Sequence, residues 1–124
     1  MRANTSTLFN NAAMISTVEI ISPDIEISQK YGFCIQAVWT GTPTGTFAIQ
    51  ASAYASTGDI YYTSPTSDPS IPWTTIASTT YTTTGAPGSY LWNIDAAYYR
   101  YVRLIYTNAS GTGTVSAAIT FKGV

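Results

Sequence analysis

Apolar and polar residues alternate in short runs along most of this chain, and no run keeps a helical period for more than a turn or two. Over residues 31–39 the alternation puts Phe33, Ile35, Ala37 and Trp39 on one face, with Cys34, Gln36 and Val38 on the other. Gly41-Thr42-Pro43-Thr44-Gly45 then supplies a turn. Residues 46–54 follow with Phe47, Ile49, Ala51 and Ala53 inward, and Ala48, Gln50, Ser52 and Tyr54 outward. These two runs predict a first hairpin. A second is predicted where residues 98–106 turn through Ser110-Gly111-Thr112-Gly113 into residues 114–121. There Val102, Leu104 and Tyr106 share a face opposite Tyr99, Tyr101, Arg103 and Ile105, while Val115, Ala117, Ile119 and Phe121 line up on the returning strand.

Shorter strands are expected at 16–21, stopped by Ser22-Pro23-Asp24, and around Ile25 and Ile27. Another covers 89–94, with Tyr90, Trp92 and Ile94 on one face. Residues 73–81 are strand-like but Thr-rich, and Trp73 and Ile76 fall out of period, which suggests a bulge or turn. Two segments lack strand character. Residues 1–14 read as a flexible or partner-docked arm. Residues 55–72, broken by Gly58, Pro65, Pro69 and Pro72, read as a long loop, because proline has no amide to donate. Seven or eight strands punctuated by turns predict a single antiparallel β-sandwich of the jelly-roll kind over residues 15–124.

Composition changes this reading little but narrows the function. Only 9% of residues are charged, against about 25% in an ordinary domain. The net charge is -1, and the five basic residues (Arg2, Lys30, Arg100, Arg103, Lys122) are scattered, so no phosphate-binding footprint exists for nucleic acid. Little charge repulsion keeps copies apart, which favours self-association. The polar start of the chain is unlike a signal peptide, and no apolar run is long enough for a bilayer. Cys34, flanked by Phe33 and Ile35, is the one cysteine; it excludes an internal disulfide and reads as a small buried apolar side chain.

Chemistry is scarce. With no histidine, the commonest general base and the usual zinc and iron ligand sets are missing. Among six carboxylates, Glu19, Asp24 and Glu26 flank a turn, and Asp59, Asp68 and Asp95 sit in turn contexts that suit aspartate for local reasons. No cofactor, no metal and no catalytic group is expected, so the chain reads as a non-enzyme. The aromatic residues Tyr54, Tyr61, Tyr62 and Trp73 border the long loop, where flat rings could stack on a glycan or anchor a protein partner.

The stretch 35–52, IQAVWTGTPTGTFAIQAS, and the closing stretch 101–114, YVRLIYTNASGTGT, resemble small virion proteins of tailed bacteriophages. The resemblance runs over residues 31–123, includes the Trp-x-x-Ile element at Trp73 to Ile76, and departs at Ala53-Tyr54-Ala55-Ser56, where relatives often carry an Asn-Asp-Gly turn. The layout is also similar to discoidin-like sandwiches. The resemblance implies a structural protein of the virion, of the head decoration or accessory type, made in the host cytoplasm. Its implied partners are copies of itself and other virion proteins, the major capsid protein or tail and collar proteins. A carbohydrate-binding or adhesin module of a tail or fibre is the alternative.

Overall fold

The computed structural model describes residues 3–15, 19–27, 30–53, 72–95 and 99–123. Among the described residues ten strands follow one another: β1 (Ala3–Met14), β2 (Glu19–Ile21), β3 (Ile25–Glu26), β4 (Lys30–Trp39), β5 (Thr44–Ser52), β6 (Thr74–Thr75), β7 (Tyr81–Thr82), β8 (Gly88–Ile94), β9 (Tyr101–Ser110) and β10 (Gly113–Gly123). They form two antiparallel sheets. The first has the order β1-β10-β4-β8, and the second β2-β9-β5-β6, with β3 also on β9 and β7 also on β5. The all-β sandwich is as expected. The larger strand number comes from β1 and from ladder segments of two residues.

Neither expected hairpin forms. β4 lies in the first sheet and β5 in the second, and likewise β10 and β9. Each turn therefore carries the chain across the sandwich rather than back along the same sheet. The alternation itself is right: Phe33, Ile35, Ala37 and Trp39 are buried, as are Phe47, Ile49 and Ala51, and Val115, Ala117, Ile119 and Phe121. Alternation states which side chains turn inward, and two strands facing each other across a core satisfy it as well as two strands side by side.

What decides the crossing is the pairing of the two turns with each other. The Thr40 amide donates to the Thr114 carbonyl (2.9 Å) and the Thr42 amide to the Thr112 carbonyl (2.8 Å). The two corners thus continue the β4–β10 ladder into the β5–β9 ladder, where Thr44 lies opposite Ser110. Gly111 has φ +75°, and a β-carbon there would collide with the Thr42 carbonyl oxygen, so only glycine lets the corners touch. The chain between β7 and β8 crosses at the same end, with the Gly85 amide on the Pro43 carbonyl (2.9 Å) and the Thr83 amide on that of Gly45 (2.9 Å).

The N-terminal arm is a strand. β1 pairs with β10 from Ala3 opposite Lys122 to Met14 opposite Gly113, and Leu8, Phe9 and Met14 enter the core. Its register shifts twice, between Thr7 and Phe9 and between Phe9 and Ala12. The first shift turns the neighbours Leu8 and Phe9 both inward, and near the second Asn11 takes a positive φ of 51°. Two bulges break the two-residue period, which is why the sequence shows none there.

The core is one cluster centred on Phe47, whose ring meets those of Tyr106 (4.5 Å), Trp39 (5.3 Å) and Trp92 (5.7 Å). At the end of β5 the phase slips: Ser52 is buried and Ala53 is exposed, the reverse of expectation.

Candidate functional surfaces

The outer face of the first sheet is built from the residues that alternation leaves out of the core. Its register sets Thr120, Cys34 and Asn93 in one row, Ala118, Gln36 and Leu91 in the next, and Ser116, Val38 and Ser89 in a third. β1 adds Thr5 beside Thr120 and Thr7 beside Ala118. None of these side chains is charged. Threonine and serine hydroxyls tie the strands laterally, Thr5 to Thr120 (3.0 Å) and Thr40 to Thr114 (2.9 Å), while the Asn11 amide donates to Ser116 Oγ (3.1 Å). Cys34 belongs to this face and is partly exposed, not buried as expected. Partial burial still pushes its thiol pKa up, which keeps it protonated and a poor nucleophile.

Charge collects on the other sheet. Arg103 on β9 donates from Nε to Gln50 Oε1 across the ladder (2.8 Å), and its guanidinium lies 4.3 Å from the centre of the Trp73 ring. Burial lowers the Arg103 pKa, and Asp24 and Glu19 act against that shift. Arg100 pairs with Glu26 at 4.0 Å; both side chains are more than a third exposed, so the pair adds little stability. Thr107 donates weakly to Glu19 (3.4 Å). On the first sheet, Asn93 of the outer face donates to Asp95 Oδ1 (3.0 Å), just past the end of β8. These carboxylates hold local contacts, and among the described residues no three potential metal ligands come together.

Of the four aromatic residues singled out from the sequence, Tyr54, Tyr61 and Tyr62 lie outside the described residues, as do Asp59 and Asp68. Trp73 is half-buried, and one face of its ring is taken by Arg103. A hollow of about 600 Å³ opens nearby, lined by Ala51, Ser52, Pro72, Thr75, Ile76 and Tyr99. A feature not singled out from the sequence is the exposure of Leu91 and Val38 on the first sheet. The signal was present: placing Tyr90, Trp92 and Ile94 on one face of their strand leaves Leu91 on the other.

No family model matches this chain, and no curated protein matches it in sequence. Solved structures do match in fold. The PBSX exported protein XepA aligns with a TM-score of 0.62 at 15% identity, covering 98% of this chain and 37% of that one. A chain of the T13 IBDV viral particle aligns with a TM-score of 0.58 at 12% identity, covering 98% and 31%. The SPBc2 prophage-derived protein YomS aligns with a TM-score of 0.50 at 11% identity, covering 97% and 96%. The likeness is one of fold. This chain spans about a third of the first two proteins and nearly the whole of YomS.

Proposed function

We propose that this chain is a non-enzymatic structural component of a tailed-phage virion, a decoration or accessory protein carried in multiple copies on the shell. The observation that carries the reading is the broad outer face of the first sheet, whose three central rows carry no charge and are knitted by hydroxyl pairs, the Asp95 carboxylate lying at its margin just past β8. A face of this kind can be buried against protein without leaving an unpaired charge, which would be costly. The fold shared with the PBSX exported protein XepA, with the SPBc2 prophage-derived protein YomS and with a chain of a viral particle supports that setting. The reading gives the chain no catalytic or cofactor role; its partners are other virion proteins, and the particle is where it resides.

Carbohydrate binding at a tail or fibre would rest on Tyr54, Tyr61, Tyr62 and Trp73, and the cover of Trp73 by Arg103 does not favour it. The deciding experiment is quantitative mass spectrometry of gradient-purified particles from the source of this chain, referenced to the major shell protein. Near-stoichiometric copy number is expected. A few copies per particle would move the chain to the tail and revive the glycan reading, and absence would end the virion reading.

A further inference from the structure

The two sheets have four edges among the described residues, and three of them are poor templates for another strand. β1 is interrupted by two bulges, one marked by the positive φ of Asn11. β2 and β3 are three and two residues long, separated by Pro23, and carry Glu19 and Glu26. β6 and β7 are two residues each. Short length, bulges, proline and charge are the devices by which natural sheets blunt their edges.

β8 has none of them. It runs seven residues, Gly88-Ser89-Tyr90-Leu91-Trp92-Asn93-Ile94, without proline, charge or bulge. Its register with β4 is unbroken, from Ile94 opposite Phe33 to Gly88 opposite Trp39. β4 is its one strand partner among the described residues. In an antiparallel ladder alternate residues of an edge strand turn their N–H and C=O groups away from the sheet, so one side of β8 is a row of donors and acceptors that no strand among the described residues meets. Leu91 at its middle is 51% exposed and Tyr90 38%.

The residue order along β8 is close to a palindrome. Leu91 is central, flanked by the aromatic Tyr90 and Trp92, then by the small polar Ser89 and Asn93. An antiparallel pair of identical strands centred on Leu91 would set Leu91 opposite the partner subunit's Leu91, Tyr90 opposite the partner subunit's Trp92, and Ser89 opposite the partner subunit's Asn93. Apolar then meets apolar on the outer face, aromatic residues stand opposite each other on the inner face, where Trp92 stays packed in its own core, and a hydroxyl meets an amide that can bond it. No like charges face each other at any position. A two-fold interface must be complementary to itself, and this strand is.

From this we infer that β8 is a self-association edge. Two copies join their first sheets β8 to β8 about a two-fold axis, forming one continuous eight-stranded sheet whose outer faces, uncharged over their central rows, lie side by side. The inference deepens the virion reading by naming how copies would join, and rests on that reading only for its setting.

Sedimentation velocity of the full chain from micromolar to millimolar concentration tests it. A reversible monomer–dimer equilibrium is expected. Leu91→Lys, at an exposed position, should weaken the dimer by roughly tenfold or more, because it places like charges opposite each other at the axis. Its thermal unfolding should match that of the wild-type chain. Val38→Lys, on the outer face but away from the edge, should leave the dimer intact. In a Cys34→Ser background, Leu91→Cys should give a covalent dimer on oxidation. A wild-type chain that stays monomeric at millimolar concentration, a dimer indifferent to Leu91→Lys, or one broken by Val38→Lys would overturn the inference. A monomeric chain still present in particles would end it and leave the virion reading standing; a dimer absent from particles would do the reverse.

Discussion

Among the described residues, the buried polar side chains Thr83 and Asn108 lie at the end where the chain crosses between sheets, next to the phenol of Tyr106. Tyr106 is fully buried and donates its hydroxyl to Asn108 Oδ1 (2.7 Å); Asn108 in turn donates from Nδ2 to the Gly111 carbonyl (2.9 Å). The phenol at the core is thereby linked to the glycine on which the two corners meet. Replacing Tyr106 by Phe leaves the Asn108 oxygen without this donor in a buried site, which should cost about 1–3 kcal/mol in urea unfolding at neutral pH. The pH dependence has a definite sign. Burial raises the Tyr106 pKa above the ordinary value near 10, with the Thr83 hydroxyl acting in the opposite direction. As pH climbs from about 10 toward the folded value, the unfolded chain has lost a proton that the native chain keeps, so stability falls. Below that range this residue contributes no slope. The variant should therefore be less stable at neutral pH yet show a shallower alkaline decline than the wild type. Equal slopes in the two proteins would mean that Tyr106 does not govern that limb.

At the level of strands, sequence periodicity reports facing but not pairing. The inward sets of β4, β5 and β10 are legible residue by residue, and all but Ala53 hold. The partner of each strand is not legible, because the turns that look like hairpin loops are corners that bond to one another. β1 was hidden for a different reason: adjacent Leu8 and Phe9, both inward at a bulge, read as no pattern at all. Its place in the sheet changes what truncation should do. Removing residues 1–14 strips Leu8, Phe9 and Met14 from the core and bares the far edge of β10. At about 1.5–3 kcal/mol for each buried side chain, the loss approaches the whole stability of a typical domain. The truncated chain should lack a cooperative thermal transition and aggregate, whereas a detachable arm would leave the melting curve unchanged.

Across the whole molecule the ladders join the ends of the chain first to last. Ala3 lies opposite Lys122 in β1–β10, and β9 lies between β2 and β5. No strand of the first sheet is paired with its neighbour in sequence, so that sheet closes only over long loops. Loop-closure entropy must be met before such contacts stabilise anything, which makes sandwiches of this kind slow folders. Among the candidate surfaces, the low charge was legible from composition, but its sorting was not. The sequence scatters charged residues along the chain, and only the sheet order reveals that Glu19, Asp24, Glu26, Arg100 and Arg103 gather around β2, β3 and β9. The same order that separates the charges sets the kinetics, because both depend on β9 and β10 lying in different sheets. Refolding from urea should therefore occupy milliseconds to seconds, as expected for a non-local β topology. Stopped-flow tryptophan fluorescence can follow it, since Trp39 and Trp92 both pack in the core and report its closure. A microsecond phase carrying most of the amplitude would instead indicate local hairpins, the arrangement that the corner hydrogen bonds of Thr40 and Thr42 rule against.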